Sequence, residues 1–162
     1  MLKASQEIRF DTRADYRLAI DTVLESAARE ICVFDPDLKG LEFDNHGRAE
    51  SLAAFLSASR DRSLRIVLHN TDFVTRDCPR LISLLKRFSD TLSIRQTPDN
   101  LRNLADCFVL ADNACVAVRF HADHYRGKLL LFLPDEVQAW RQRFEDLWEE
   151  SAPAVSATCL GL

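Results

Sequence analysis

The sequence predicts a single α/β domain built on a mixed β-sheet with helices on both faces. Three observations predict this class. Amphipathic helical stretches alternate with short apolar runs over the first two thirds of the chain. Two apolar runs then follow each other around a short turn, and the chain closes on a further strand and a long amphipathic helix. Alternating elements favour parallel strands and adjacent runs favour antiparallel pairing, so the sheet is expected to be mixed.

Length and composition agree with one globular domain. The chain has 162 residues, of which 47% are hydrophobic and 28% charged. These proportions are ordinary for a soluble globular protein, and one domain is usual at this length. We place this domain at residues 11–151, after a lead-in over residues 1–10 and before a small-residue tail over residues 152–162.

Three helix–strand units are predicted first. The opening helix has an apolar stripe at three- and four-residue steps, and it leads into the β-rich run ICVFD, which ends at the turn-forming Asp35-Pro36-Asp37. The stretch RAESLAAFLSASRDR predicts the second helix, and LRIVLHN predicts its strand. The third unit joins CPRLISLLKRFSD, with Pro79 in the first helical turn, to the strand TLSIRQT. The resulting order is αβαβαβ.

The last third of the chain has a different pattern. The stretch ADCFVLADNACVAVRF holds two apolar runs about a turn at Asp112 and Asn113, which predicts a β-hairpin. The run GKLLLFL predicts one more strand. The stretch PDEVQAWRQRFEDLWEES predicts a C-terminal helix with one apolar stripe, formed by Val137, Trp140, Phe144, Leu147 and Trp148.

Charge and cysteine content narrow the classes of function. The formal net charge of −4 argues against nonspecific binding of nucleic acid, which needs a basic surface. The five cysteines form no C-x-x-C pair, and the free thiols predict a reducing, cytoplasmic location; they are Cys32, Cys78, Cys107, Cys115 and Cys159. No stretch has the pattern of a signal peptide or the length of a membrane span.

The order of elements, the late hairpin and the closing stretch RFEDLWEES together resemble one half-domain of the phospholipase D superfamily. The resemblance runs from about Tyr16 to Ser151. It implies a phospholipase D-like α/β fold. Because such half-domains commonly pair about a two-fold axis to share one site, it also implies a homodimer.

The family signature H-x-K-x-x-x-x-D falls on the hairpin without its catalytic residues. With its Asp on Asp112, its His position holds Ala105 and its Lys position holds Cys107. The resemblance implies that the family's His is a nucleophile forming a phosphohistidine, and that its Lys neutralises charge on the phosphoryl oxygens. An alanine methyl does neither. Cys107 has no adjacent Lys, Arg or His to lower its pKa, so we expect it to be a packing residue.

Other polar side chains follow two neighbouring predicted strands. Asp35 ends one strand, and His69 and Asn70 end the next. Ligands of open α/β sheets gather outside the carboxyl ends of strands, so these three residues are candidates for a ligand pocket. Turn formation and loop capping alone also account for them.

A second candidate region lies after the hairpin, in the stretch VAVRFHADHYRGK. Positive charge is concentrated there and could bind an anion or a phosphate-bearing ligand; the residues are Arg119, His121, His124, Arg126 and Lys128. A solvated polar turn is the alternative. The HADH spacing matches no zinc signature, so we expect no metal site, and nothing in the sequence implies a cofactor.

Three functions remain open at the level of sequence. The first is a catalytically inactive phospholipase D-like domain that binds, scaffolds or regulates. The second is an active phosphodiesterase or nuclease with a displaced nucleophile, His69 or His121. The third is an accessory module that works beside a protein partner. We expect an inactive domain that works as an accessory module beside a protein partner. An active enzyme is disfavoured because a displaced histidine rarely recovers the required geometry.

Overall fold

In a computed structural model, which describes residues 4–156, eight strands and five α-helices form one α/β domain. The strands are β1 Gln6–Phe10, β2 Glu30–Asp35, β3 Ser63–Leu68, β4 Leu92–Gln96, β5 Cys107–Ala111, β6 Cys115–Arg119, β7 Gly127–Leu131 and β8 Ala152–Val155. The helices are α1 Arg13–Ser26, α2 His46–Ser57, α3 Asp72–Asp77, α4 Pro79–Arg87 and α5 Pro134–Glu150. Short 3₁₀ helices cover Lys39–Leu41 and Asp99–Leu101.

The strands form one mixed sheet in the order β1-β7-β6-β5-β2-β3-β4-β8. Strands β2, β3 and β4 are parallel, because a helix follows each of the first two and returns the chain to the same end. The other pairings are antiparallel, including the predicted β5–β6 hairpin and the β2–β5 contact that joins the two halves of the sheet. The predicted mixed sheet is therefore confirmed.

Both faces of the sheet are covered, as predicted. Side chains alternate between faces along a strand, so Ile31 and Val33 of β2 pack with α1, α2 and α4 in one apolar cluster. Phe34 points to the opposite face, where α5 contributes Phe144 to a second cluster. The core thus has two layers, and among the described α-helices only α5 contributes to the second one, joined there by Leu101 and Leu104.

Two strands and one helix were not predicted. β1 lies in the lead-in, and Phe10 is the only buried residue of this strand, so the strand has no apolar run to signal it. β8 lies in the tail and contains Pro153, a residue that edge strands tolerate but that usually argues against a strand. α3 has six residues, too few to show a helical period. The remaining tail, with Cys159, lies outside the described residues.

The hairpin turn is fastened to the start of β2. Asp112 has a positive φ of 55°, and its carboxylate accepts hydrogen bonds from the backbone N–H groups of Ala28, Arg29 and Glu30 at 2.9, 2.8 and 2.9 Å. Three donors at the beginning of a central strand are thereby satisfied by one side chain. Asp112 therefore fixes where β2 begins relative to the β5–β6 hairpin.

No helix within residues 4–156 is both long and apolar enough to span a membrane.

Candidate ligand pocket beside Asp35 and Arg119

The register of three neighbouring strands brings Asp35, Cys107 and Arg119 to one end of the sheet. Phe34 pairs with Phe108, which places Asp35 at the start of β5, and Cys107 pairs with Arg119 at the end of β6. All three residues have the parity of the side chains that face α1. The sheet geometry therefore assembles one acid, one thiol and one guanidinium beneath this helix.

Asp35 is a buried carboxylate that the fold only half satisfies. It is 2% exposed, and its Oδ2 accepts hydrogen bonds from the backbone N–H groups of Leu38 at 2.7 Å and Asp37 at 3.3 Å. Its Oδ1 makes no hydrogen bond of good geometry among the described residues, although the Cys107 thiol lies beside the carboxylate. Burial raises the pKa of Asp35 to about 6, although the two backbone bonds and the charge of Arg119 lower it.

Arg119 is held by the loop that follows it. Its Nε donates to the carbonyl of His124 at 2.6 Å, and its Nη2 donates to the carbonyl of Ala122. Its guanidinium carbon lies 4.5 Å from the ring centroid of Tyr125 and 5.4 Å from that of Tyr16. Arg119 as a whole is buried, with 8% of the residue exposed. Its orientation is therefore set before any ligand binds.

Tyr16 and Cys107 are buried beside Asp35 and Arg119. The Tyr16 hydroxyl is buried beside Arg119 but makes no hydrogen bond of good geometry within the described chain. Burial, and next the charge of Asp35, raise the pKa of this hydroxyl. Burial and the Asp35 charge likewise raise the pKa of the Cys107 thiol, so both groups remain protonated at neutral pH.

The outer wall is a loop with unusual backbone angles. Leu38, between β2 and the 3₁₀ helix Lys39–Leu41, has a φ of 76°, and Glu42 has a φ of 53°. A bulky residue at such an angle is strained, and strain of about 1–3 kcal/mol per residue is often retained at functional sites. Gly40 lies against Arg119, because a Cβ at this position would be 3.0 Å from Nη1. The loop is shaped closely around the guanidinium.

An open pocket of about 400 Å³, called here the Asp35 pocket, lies beside these groups, with Asp35, Asp37, Lys39, Gly40, Arg119 and Tyr125 in its lining. Sequence analysis named Asp35 and Arg119 but missed Gly40, Lys39 and Tyr125. The signal for Gly40 was weak, because a glycine after Asp-Pro-Asp also suits an ordinary turn. Tyr125 lies in the basic stretch, which was interpreted by its charged and histidine side chains alone.

His69 and Asn70 lie elsewhere. The His69 ring is buried between Thr97 Oγ1, 2.6 Å from Nδ1, and the Leu104 carbonyl, 2.7 Å from Nε2. A carbonyl only accepts, so Nε2 carries the proton and Nδ1 accepts from the Thr97 hydroxyl. Asn70 Oδ1 accepts from the backbone N–H of Asp72 at the start of α3, and the residue lines a neighbouring depression.

His121 and His124 lie on the loop that holds Arg119, with ring centroids 5.7 Å apart. Each Nδ1 accepts a backbone N–H bond, from Asp123 at 3.0 Å and from Arg126 at 3.1 Å. Neither residue lines the Asp35 pocket. Residues 4–156 contain no cluster of three or more His, Cys, Asp or Glu side chains suited to a metal ion.

Cys107 is expected to react with iodoacetamide at least about a hundredfold more slowly in the folded protein than in urea, because the thiol is 0% exposed and its pKa is raised. Peptide-resolved mass spectrometry measures this rate at each cysteine. Cys115, also buried in the sheet, is the control for global opening. Rapid labelling of Cys107 while Cys115 is still protected would contradict a buried, protonated Cys107 thiol.

Solved structures share this fold at low sequence identity. A phospholipase D family member, Nuc from Salmonella typhimurium, is 12% identical with a TM-score of 0.60, over 94% of this chain and 99% of that one. NucT from Helicobacter pylori is 11% identical with a TM-score of 0.60, over 93% and 100%. These likenesses show a phospholipase D-like fold and nothing finer.

Another similar structure is TrmBL2, an archaeal chromatin protein described as showing a novel mode of DNA binding. It is 14% identical with a TM-score of 0.67, and the match covers 92% of this chain. The chain spans about half, 55%, of the length of TrmBL2. A search of the curated proteins found no match. The family model described as Domain of unknown function (DUF7931) matches residues 12–158, so the chain belongs to that family.

Proposed function

We propose that this domain is a catalytically inactive phospholipase D-like domain that binds a ligand in the Asp35 pocket. The observation that carries the proposal is which residues stand at the two signature positions that hold the family's catalytic side chains. Ala105 stands at the nucleophile position and Cys107 at the lysine position, when Asp112 takes the place of the signature Asp. The third signature residue, Asp112, accepts three backbone hydrogen bonds that fasten the hairpin turn to β2.

Cys107 is a poor replacement nucleophile. Attack on phosphorus requires a thiolate, and both burial and the neighbouring Asp35 charge raise the pKa of this thiol. Arg119 lowers that pKa by less than burial raises it. A neutral, fully buried thiol supports a packing role for Cys107 within β5.

The histidines also support an inactive site. A nucleophilic imidazole needs a ring nitrogen with a free lone pair, and the Nδ1 lone pair of His69 is taken by the Thr97 hydroxyl while Nε2 holds a proton. His121 and His124 lie outside the pocket lining. The competing proposal, an active phosphodiesterase or nuclease, would therefore require the 121–124 loop to reorganise.

A binding role suits the overall charge and the fold. The net charge of −4 argues against nucleic acid as the ligand, so the DNA-binding description of TrmBL2 is not carried over to this chain. Homodimer formation and a cytoplasmic accessory role beside a protein partner remain part of this proposal. The Asp35 pocket is the site proposed for that ligand, since the oriented Arg119 guanidinium and the buried Asp35 both line it.

The decisive experiment measures phosphodiesterase turnover on an aryl phosphodiester by the purified chain, with and without divalent metal ions. The wild type is expected to show no turnover above that of the Ala105→Glu variant. In this variant the nucleophile position is blocked by a side chain that is negatively charged, like the phosphodiester. Turnover that Ala105→Glu abolishes would overturn the proposal. In that case His69→Ala and His121→Ala would identify which ring had become the nucleophile.

A further inference from the structure

The β6–β7 hairpin determines which backbone groups of β1 face outward. At its turn, the Phe120 N–H donates to the Arg126 carbonyl at 2.9 Å. Backbone bonding alternates from side to side along an antiparallel strand, so the even-numbered residues of β7 bond to β6 and the odd-numbered ones bond to β1. The β1 residues that lie opposite these odd-numbered residues are Gln6, Ile8 and Phe10.

Glu7 and Arg9 form the open edge of β1. They lie opposite Leu130 and Lys128, so their own N–H and C=O groups point away from β7. β1 is the outermost strand, and no backbone bond within residues 4–156 reaches these groups from another segment. The opposite edge strand, β8, contains Pro153 and pairs irregularly with β4, and both features protect an edge from further pairing. β1 has neither feature.

We propose that β1 pairs with β1 of a second copy of this chain, antiparallel and about a two-fold axis that passes through Ile8. This inference rests on the homodimer included in the proposed function and names its interface. Only outward-facing residues can exchange backbone hydrogen bonds, so Glu7 and Arg9 must lie opposite outward-facing residues of the partner. In the register centred on Ile8, Glu7 of each copy bonds with Arg9 of the partner subunit.

The charges of β1 favour this register over its neighbours. The adjacent registers with the same backbone parity are centred on Glu7 or on Arg9, and each places two like charges directly opposite, which is unfavourable. The register centred on Ile8 instead forms two Glu–Arg pairs. The Glu7 and Arg9 side chains are 38% and 72% exposed, so both are accessible to a partner. Charges that usually keep edge strands apart here specify one pairing.

The other face of β1 offers an apolar contact. The Ile8 side chain has the parity of Phe10, which packs in the cluster beneath α1, yet Ile8 is 45% exposed. At the two-fold axis Ile8 meets Ile8 of the partner subunit as a non-hydrogen-bonded pair, the arrangement in which side chains approach most closely. Dimerisation therefore buries the apolar surface that the single chain leaves in solvent.

The geometry also predicts what the two copies do not share. Arg119 is on β6 and Asp35 is on β2, two and four strands from β1, so each copy keeps a separate Asp35 pocket. This arrangement differs from the shared-site dimer that the phospholipase D resemblance implies. An interface of five residues on each side is small, so we expect a dissociation constant of about 1–100 μM.

Sedimentation velocity of the full chain from about 1 to 300 μM tests the interface, with a reversible shift from monomer to dimer expected. Arg9→Glu and Glu7→Arg each set like charges at both pairs, and each should raise the dissociation constant at least about tenfold. An equal mixture of the two variants restores opposite charges at both pairs and should dimerise like the wild type. Arg76→Glu on α3, where the side chain is 73% exposed, is the matched control and should leave the dissociation constant unchanged.

Hydrogen exchange locates the contact, because the amides of Glu7 and Arg9 should exchange more slowly above the dissociation constant. Weakened single variants with recovery in their mixture support the inference, and the recovery also shows that both variants are folded. A dimer that neither variant weakens, or a mixture that stays monomeric, overturns this interface and leaves the homodimer itself standing. A wild type that is monomeric throughout overturns both, and the turnover assay tests the inactive-domain proposal independently.

Discussion

Asp112→Ala is expected to lower the free energy of unfolding by about 3 kcal/mol, which corresponds to a fall in Tm of roughly 6–12 °C for a domain of this size. The carboxylate accepts three backbone N–H bonds, all between 2.8 and 2.9 Å, from residues 28–30 at the entrance to β2. Hydrogen bonds to a charged acceptor contribute about 1.5–3 kcal/mol each, and this partly exposed, shared acceptor gives less than their sum. Alanine also disfavours the positive φ at this turn.

Urea unfolding followed by circular dichroism measures the loss, and Asp112→Asn is the matched control. Asparagine tolerates a positive φ and keeps one acceptor oxygen, so it should lose about half as much stability. Equal losses in both variants would mean that the charge, rather than the number of acceptors, fixes the turn. An Ala variant as stable as wild type would contradict the role of Asp112 as the link between the hairpin and β2.

Asp35→Asn is expected to stabilise the protein, in contrast to Asp112→Ala, and to raise the free energy of unfolding by about 2–3 kcal/mol at pH 7.5. Burial raises the pKa of Asp35 from its ordinary 3.8 to about 6, so the folded state must keep a buried carboxylate ionised at neutral pH. An asparagine oxygen can still accept the two bonds from the N–H groups of Leu38 and Asp37. The variant therefore removes the charge and keeps the turn.

The advantage of the variant is expected to depend on pH. Between about pH 4 and 6 the folded wild type binds the Asp35 proton more tightly than the unfolded chain, so its stability rises as the pH falls through 6. The difference between variant and wild type should shrink over this window and vanish near pH 4. The facing Tyr16 hydroxyl and Cys107 thiol titrate above this window, because the pKa values of both groups are raised.

Urea titrations of both proteins at pH 7.5, 6 and 4.5 test this, and Asp123→Asn controls for removal of an exposed charge. An Asp35→Asn variant that is less stable than wild type at pH 7.5 would show that the folded protein compensates the charge fully. Stability gained with loss of ligand affinity would be the expected trade-off of a binding site built from an incompletely paired acid.

The elements with the largest apolar faces were predictable from sequence, and the site was only partly so. β2, β3 and the β5–β6 hairpin are buried runs bounded by turn residues, so their pattern indicates strands directly. Asp35 could be named because it ends such a run, and Arg119 because it belongs to a basic stretch. Their meeting depends on the antiparallel β2–β5 register, a long-range pairing that local patterns do not encode.

His69 shows why proximity in sequence was a poor guide to the pocket. It follows β3 and so reaches the same end of the sheet, but Thr97 and the Leu104 carbonyl take both ring nitrogens. Those partners lie 28 and 35 residues away, beyond any sequence pattern. Gly40 was equally hidden, because its importance comes from the approach of Arg119, a residue far along the chain.

The two unpredicted edge strands have a consequence for domain boundaries. β1 and β8 are the outermost strands of the sheet, so the two ends of the described chain seal opposite edges and lie about seven strand spacings, roughly 34 Å, apart. A fragment limited to residues 11–151 would leave β7 and β4 with open hydrogen-bonding edges, which promote aggregation. A circular permutation would need a linker that crosses the width of the sheet.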